Sequence, residues 1–340
     1  MLPTAESHPA AVQNSPLAYG LGSFGLESLH TVFMGFYMFY YIDQLGLAIA
    51  MAAIINVLYA IWDALNDLLV GFLSDNTRTR WGRRRPWLLT GLPFYVSTLV
   101  LVYAVPAPFL QGNALFWYAL VIFLLFELAY TVMAVNYASL FPELFQDFRE
   151  RTRASSTYQG LGMFGELVGF TIPPLMYARF GFVPMAVSFA AVAGIALFPA
   201  IIRNREDPKA LIASQLELKR AFGEVLKDGP FLFFAIALTF TAFTFGLYTL
   251  AVPFWVKYTL AASPQAISLI FGTVFIAAIL SVSLWGRIVR DQGIKRALLW
   301  SVGVIAASGV ILGLASDLLP GVIGAAMAGV GLGGGMSAGK

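Results

Sequence analysis

The feature that most constrains this chain is a series of long apolar runs separated by short breaks. Of its 340 residues, 59% are hydrophobic and 11% are charged, and the mean hydropathy is +0.78. A soluble domain carries about a quarter charged residues, so this chain cannot cover itself with a polar surface, and the lipid bilayer must be its solvent. We predict ten membrane spans, at 17–42, 46–73, 86–106, 114–142, 156–178, 182–202, 230–256, 264–288, 297–316 and 320–339.

The basic residues predict the orientation of these spans. Of the 21 Lys and Arg residues, 18 fall in alternate loops, those after spans 2, 4, 6 and 8. The positive-inside rule places these loops and the N-terminus in the cytoplasm, in a multi-pass protein of the cell membrane. Because the basic residues lie in short loops, the net charge of +3 does not indicate a nucleic-acid partner.

The sequence offers no enzyme motif, so we expect a protein that is not an enzyme and that holds no cofactor. The chain has no cysteine and two histidines, which excludes a thiolate nucleophile or a cysteine-ligated metal. No phosphate-binding loop, zinc-protease motif or serine elbow is present in the sequence. A membrane enzyme or scaffold without transport activity is therefore the weakest of the functional alternatives.

We divide the chain into a six-helix half at 1–202, a cytoplasmic loop at 203–229 and an incomplete second half at 230–340. The loop is predicted to contain an amphipathic helix that begins at Asp207-Pro208, a favourable capping pair. A basic, glycine-containing turn follows span 2 and returns after span 8, as in a parallel repeat of six spans. Two such halves need twelve spans, so we interpret the chain as truncated in its tenth.

Two carboxylates in span 2 carry most of the functional signal. Asp63 and Asp67 lie one helical turn apart within an apolar segment, and Asn66 shares their side of the helix. Carboxylates within a membrane are costly and usually functional. Two of them so close together cannot both stay ionised without a counter-charge, so either a cation binds between them or one is protonated. The structural alternative is that they hold the bundle together through interhelical ion pairs or hydrogen bonds.

The run from Asp63 to Asp67, followed by Gly71, Asp75 and 82–87, resembles the glycoside–pentoside–hexuronide:cation symporters of the major facilitator superfamily. The resemblance implies an all-α integral membrane fold, the major facilitator fold, with two six-helix halves around a central cavity. It also implies cation-coupled symport of a sugar or glycoside by alternating access. The alternative is coupled transport of a lysolipid or another amphiphile on the same fold.

The resemblance implies a cation site between spans 2 and 4, and Na⁺ or H⁺ is the expected coupling ion. The matching residues are Asp63, Asn66, Asp67 and Thr131. The match favours Na⁺ slightly, but the proton stays open.

The substrate side departs from the family pattern. Ala134 and Ala138 stand where relatives often carry an aspartate and a tryptophan, and Gln159 stands where they carry an arginine. These changes weaken the case for a galactoside in particular. They leave a small-molecule substrate, with a sugar or glycoside favoured, and the lipid bilayer as the expected partners.

Several side chains in or near spans are candidates for binding the solute, because carboxylates accept sugar hydroxyls and aromatic rings stack on sugar faces. They are Glu27, His30, Tyr37, Glu127, Tyr158 and Gln159. Glu27 and His30 share a helix face and are also candidates for carrying a proton. Glu127, four residues before Thr131, is a candidate replacement for the missing carboxylate at 134. Seven residues of helix rise, about 10 Å, prevent it from filling the same coordination position.

Two further groups have assignments. Asp75 and Arg83, Arg84 and Arg85 resemble the superfamily's cytoplasmic gate, although the arginines would also be explained by topology alone. Aromatic residues at span ends usually anchor a helix at the membrane surface, and we assign that role to Tyr40, Tyr41 and Trp255.

Overall fold

The protein is an antiparallel series of long helices. The computed structural model describes residues 14–106, 110–204 and 229–338, and in these residues ten long α-helices succeed one another. They are α1 (Pro16–Phe39), α2 (Ile49–Asp75), α3 (Arg85–Tyr103), α4 (Asn113–Leu144), α5 (Phe148–Phe180), α6 (Phe182–Arg203), α7 (Gly229–Phe254), α8 (Pro264–Gln292), α9 (Ile294–Leu314) and α10 (Leu318–Ala338).

Each of the ten predicted spans coincides with one of these helices. Among the described residues, seven helices are long and apolar enough to cross a membrane by length and composition alone; the other three are α1, α5 and α7. The all-helical membrane fold expected from the apolar runs is confirmed. The amphipathic helix expected after Asp207 lies outside the described residues.

The start of α5 differs from the prediction. We expected a span from 156, with Arg149, Arg151 and Arg153 in a preceding loop. The helix instead begins at Phe148 and carries these arginines on its first turns. Asp147 caps it, because its carboxylate accepts hydrogen bonds from the backbone N–H of Arg149 at 2.9 Å and of Glu150 at 3.1 Å. A capped, solvated first turn needs no apolar residues, so hydropathy alone does not detect it.

A glycine seam holds α1 against α5. A Cβ atom on Gly162 would lie 2.7 Å from the Ser23 hydroxyl, and one on Gly165 would lie 2.6 Å from the Phe24 carbonyl oxygen. At Gly169 a Cβ would lie 2.7 Å from the Ser28 carbonyl. Small residues let membrane helices approach at backbone distance. Gly165 and Gly169 therefore pack closely against α1, and this fixes the acids of α1 and α5 near each other.

The two halves share an unusual turn at the end of their first helix. α1 passes into a π-helical turn at Tyr40–Gln44, and α7 passes into one at Trp255–Thr259. The hydrogen bond from Leu45 N to Tyr40 O (3.1 Å) recurs, 215 residues later, from Leu260 N to Trp255 O (3.1 Å). This correspondence supports the parallel repeat inferred from the basic turns.

The left-handed residue in each of these turns also recurs. Gly46 has a φ of 74°, and Ala261, again 215 residues later, has a φ of 47°. Glycine adopts this conformation without a steric penalty, whereas alanine does not. The turn therefore keeps its backbone shape in both halves although the residue has changed.

Two tyrosines expected at the membrane surface are instead buried in the protein. The Tyr41 side chain is inaccessible to solvent, and its hydroxyl donates to the Val102 carbonyl at 3.0 Å. Tyr40 donates to the Tyr103 carbonyl at 2.9 Å. Both tyrosines satisfy carbonyl groups at the end of α3, so the assignment as surface anchors is wrong for this pair.

Aromatic packing joins the two halves. The ring of Phe170 in α5 stacks on that of Phe271 in α8 with centroids 4.6 Å apart. The ring of Phe39 in α1 meets that of Phe254 in α7 edge-on at 5.5 Å. We call the end of the bundle that holds Arg83–Arg85 the arginine end, and the end that holds the two π-helical turns the opposite end. The Phe39–Phe254 contact adjoins these turns.

Candidate functional site

The α2–α4 interface brings together most of the residues predicted to bind a cation. Trp62 on α2 donates through Nε1 to the Leu124 carbonyl on α4 at 3.0 Å, which fixes the register of the two helices. Because both helices run from the opposite end to the arginine end, Asp63 lies level with Glu127 and Asp67 level with Thr131. The Thr131 hydroxyl lies 3.2 Å from Asp67 Oδ1. The structure thus brings Asp67 and Thr131 into contact.

Glu127 also belongs to this interface, one turn from Thr131. Only 2% of Glu127 is exposed, and its Oε1 lies 3.5 Å from the Thr131 hydroxyl. Its other oxygen accepts a hydrogen bond from the Tyr59 hydroxyl on α2. We call Asp63, Asp67, Glu127 and Thr131 the acid cluster. Among the described residues, no three acidic or histidine side chains converge closely enough to form a metal-ion site, so the carboxylates are spread along the interface.

Asn66 of α2 has a buried amide group without a described partner. It is 1% exposed, and its Nδ2 has no hydrogen-bond partner among the described residues. α4 is the main helix packed against α2 in this half, so Asn66 is buried toward the acid cluster. Leaving a buried amide unpaired costs about 1–3 kcal/mol. Rotation of the amide by half a turn would present its oxygen instead, which suits a site that gains its missing partner from a ligand.

Sequence reasoning missed Tyr59, which holds Glu127. A signal was available, because Tyr59 precedes Asp63 by four residues and therefore shares its helix face. What the sequence could not give was the register of α2 against α4, which decides whether that face meets Glu127.

The predicted solute-binding residues divide between two regions. Glu27 on α1 lies near Glu166 on α5 and near Tyr158. Gln159 is exposed, and its side chain donates to Ser155 on its own helix at 3.0 Å. Glu27 and Tyr158 therefore lie together between α1 and α5, while Gln159 is exposed and contacts only its own helix in the hydrogen bonds described.

His30 lies on the same face of α1 as Glu27 and contacts α4, whereas Tyr37 lies nearer the end of α1. The imidazole of His30 stacks on the Tyr130 ring of α4 with centroids 3.8 Å apart. Tyr37 is 5% exposed, and its hydroxyl donates to Asn56 Oδ1 on α2 at 2.5 Å. Tyr37 thus fills the interior of the first half, and the structure does not bring it near Glu27 or Gln159.

The residues predicted to form a gate do meet at the arginine end. Arg84 is 5% exposed and donates to the Ser74 hydroxyl at 2.5 Å and to Asp75. Arg83 pairs with Glu143 at 2.5 Å, and Arg85 donates to the Ile202 carbonyl at 2.9 Å. These contacts tie the ends of α2, α4 and α6 to the start of α3. Sequence reasoning missed Glu143, the acidic partner on α4.

At the opposite end, a second charge pair joins the two halves. Lys257 Nζ lies 2.6 Å from Asp43 Oδ2, and the Tyr258 hydroxyl donates to Oδ1 of the same carboxylate. Partial burial raises the pKa of Asp43, but hydrogen bonds from Lys257, Tyr258 and Gln44 and the ammonium charge outweigh it, so the pKa lies below its usual value. We call this contact between the two π-helical turns the latch. It borders a cavity of about 410 Å³ that is also lined by Phe39 and Tyr177.

Long apolar helices, repeated in two halves with carboxylates at a helix–helix interface of one half, are the features of a polytopic membrane protein of the major facilitator type. The match to known proteins narrows this class. Residues 18–340 match the family described as MFS/sugar transport protein, and the chain belongs to that family.

Three relatives illustrate the family. An uncharacterised symporter of Synechocystis is 31% identical over 62% of this chain and 40% of its own length. The isoprimeverose transporter of Lactiplantibacillus pentosus is 30% identical over 48% of this chain and 34% of its own length. The sodium-dependent lysophosphatidylcholine symporter 1 of Gallus gallus is 28% identical over 47% of this chain and 32% of its own length. All three are named as symporters or transporters, in agreement with the resemblance of the run that begins at Asp63.

The chain spans between about a quarter and two thirds of the length of the relatives it matches.

Proposed function

We propose that the protein is a secondary active transporter, which couples the movement of a solute to that of a monovalent cation by alternating access. The observation that carries this proposal is the acid cluster at the α2–α4 interface, in which Glu127 is buried, Asp63 is half-buried and Asp67 is exposed, beside the unpartnered amide of Asn66. Such a site is electrostatically costly when empty and relieved when a cation binds, because the cation supplies the missing counter-charge.

Asp63, Asn66, Asp67 and Thr131 form the cation site in this proposal. Carboxylate, amide and hydroxyl oxygens are hard ligands, which suit Na⁺. The family resemblance and the sodium-dependent chicken relative support Na⁺ over H⁺.

The solute in this proposal is a sugar or glycoside, bound between α1 and α5. Glu27 and Tyr158 supply a carboxylate and an aromatic ring there, which can accept sugar hydroxyls and stack on a sugar face. The isoprimeverose transporter among the relatives supports this assignment.

A lysolipid or another amphiphile is the second candidate solute. Ala134 and Ala138 leave α4 without the polar side chains that the family resemblance implies at these positions, and the chicken relative is named for a lysolipid. An apolar tail needs such a surface, whereas a sugar does not.

The proposed orientation places the arginine end and the N-terminus in the cytoplasm. Single cysteines can test it directly, since the chain has none of its own. A cysteine in place of Gln44 is expected to react with a membrane-impermeant maleimide in intact cells, and one in place of Thr79 only after permeabilisation. The reverse pattern would contradict the orientation.

Transport itself is tested in proteoliposomes. Radiolabelled sugars and lysolipids are offered with an inward Na⁺ gradient, with a proton gradient, or with neither. We expect accumulation of one sugar or glycoside that depends on the cation gradient. Accumulation of lysolipids alone would support the second candidate, and failure of every solute under every gradient would contradict both.

A further inference from the structure

We propose, on the basis of the cation-coupled function above, that Glu127 is a ligand of the coupling cation and that Tyr59 is its positioning residue. The cation would then lie between Asp67 and Glu127. This position is one helical turn nearer the opposite end of the bundle than a cation held by α2 and by α4 residues that follow Thr131.

The oxygen atoms at this point carry the assignment. The Thr131 hydroxyl lies 3.2 Å from Asp67 Oδ1 and 3.5 Å from Glu127 Oε1. A hydroxyl has a single proton, so it can donate to one of these carboxylates at a time, and the other faces its lone pairs. A cation between the three oxygens would remove this conflict and use the hydroxyl oxygen as a neutral ligand.

Burial separates Glu127 from an ordinary polar residue of a membrane helix. With 2% exposure, Glu127 cannot reach the bilayer surface or bulk water. The groups close enough to influence it are acids and tyrosines: Tyr37, Tyr59, Asp63, Asp67, Tyr95 and Tyr130. None of these described groups carries a permanent positive charge, so a bound cation is the natural partner for the carboxylate.

Tyr59 decides where the Glu127 carboxylate points. Its hydroxyl donates to Oε2, which leaves Oε1 directed at Thr131 and Asp67. A ligand oriented by a hydrogen bond to its second oxygen is the usual arrangement of metal sites, and loss of the orienting group costs 10–100-fold in affinity.

Asn66 supplies the independent sign of a ligand. Its buried Nδ2 has no described partner on the α2 face that packs against α4. An NH2 group cannot bind a cation, but reversal of the amide puts its oxygen in this position as a ligand. Buried polar groups without a partner are rare in folded proteins, and an absent ion is one accepted explanation.

The test is Na⁺ binding to the purified protein, measured by isothermal titration and by the rise in melting temperature with NaCl at constant ionic strength. Glu127→Gln keeps the size of the side chain and its contact with Tyr59 but removes the charge. We expect a 10–100-fold weaker Kd for Na⁺ in this variant. Glu127→Asp, which keeps the charge on a shorter side chain, is expected to weaken binding less.

Glu166→Gln is the matched control, because Glu166 is a partly buried acid of α5 outside the acid cluster. Its Kd for Na⁺ is expected to be unchanged. Tyr59→Phe keeps the ring and tests positioning: we expect weaker Na⁺ binding and an altered preference between Na⁺ and Li⁺, which a merely structural tyrosine would not change.

The outcomes separate this proposal from the proposed function. Na⁺ binding that is lost in Asp67→Asn but unchanged in Glu127→Gln would overturn the role of Glu127 and leave the cation site at Asp63, Asn66, Asp67 and Thr131. An unchanged Na⁺/Li⁺ preference in Tyr59→Phe would overturn the role of Tyr59. No Na⁺ binding by the wild-type protein would overturn both this proposal and sodium coupling.

Discussion

The two halves of the molecule share a backbone plan but differ in chemistry. Both begin with a helix that ends in a π-helical turn, and the two turns are 215 residues apart with matching hydrogen bonds. In the first half, α1, α2, α4 and α5 carry five carboxylates within their spans. In the described spans of the second half, 230–256, 264–288, 297–316 and 320–338, there is no carboxylate. The repeat therefore preserves the scaffold while the proposed ion chemistry lies in one half.

The same difference appears in the charge pairs at the two ends. At the arginine end, Arg83 and Arg84 pair with Glu143 and Asp75 of their own half. At the opposite end, Asp43 of the first half pairs with Lys257 of the second. One end thus stabilises a single half, and the other joins the two, so a change at the latch acts on how the halves separate.

The largest effect is expected when a carboxylate of the acid cluster is removed. The control is a substitution at the equivalent position of the second half. Asp67→Asn is expected to lower Na⁺-driven solute uptake by about 100-fold, since the loss of a ligand costs at least as much as the loss of its support. The equivalent residue, 215 positions later, is Val282. Val282→Ala is expected to keep full Na⁺ dependence in the same assay. Equal losses in the two variants would break the comparison.

A moderate effect is expected at the latch. Asp43→Asn removes the charge that binds Lys257, which is 44% exposed. We expect the contact between the two halves at this end to lose about 1 kcal/mol of stability, which is about a fivefold shift of the equilibrium toward separated halves. The measurement is the labelling rate of a cysteine in place of Ala178, which lines the adjoining cavity. Asp317→Asn, an exposed acid at the same end, is the control. An unchanged rate in Asp43→Asn would show that the latch does not restrain the halves.

The lowered pKa of Asp43 predicts how the stability of the latch depends on pH. Because its partners lower the pKa of Asp43, its stabilisation is complete above the ordinary carboxyl pKa of about 4 and is lost only as the pH falls through the lowered value. The labelling rate of the cysteine that replaces Ala178 is therefore expected to stay the same across the neutral range. A loosening between about pH 5 and 8, where histidine normally titrates, would assign the pH response to another group.

The smallest effect tests the turns themselves. Ala261 occupies the left-handed conformation that Gly46 provides in the first half. Ala261→Gly removes a steric strain and adds freedom to the unfolded chain, so the net gain is expected to be less than about 1 kcal/mol. A melting curve in detergent measures it, and Gly46→Ala is the reciprocal variant, expected to be destabilising. A lower melting temperature for Ala261→Gly would contradict the equivalence of the two turns.

The sequence predicted what depends on local composition. Ten apolar runs predicted the ten helices of the described residues. The spacing of Asp63, Asn66 and Asp67 did not predict their burial, since Asn66 is buried whereas Asp67 is exposed. The sequence could not predict what depends on the register between helices, such as the contact of Tyr59 with Glu127 or the pairing of Asp43 with Lys257 across 214 residues. Tyr41 shows the same limit, because hydropathy does not distinguish a ring at the lipid surface from one that caps a neighbouring helix.

The central claim, that solute and cation move together, is tested most directly by the movement of the cation itself. Proteoliposomes containing the protein are given a steep inward gradient of the transported solute, with ²²Na⁺ at equal concentration on both sides. We predict that solute entry drives transient accumulation of ²²Na⁺ inside, and that Asp67→Asn abolishes it. Solute entry without any ²²Na⁺ accumulation in the wild-type protein would contradict sodium coupling.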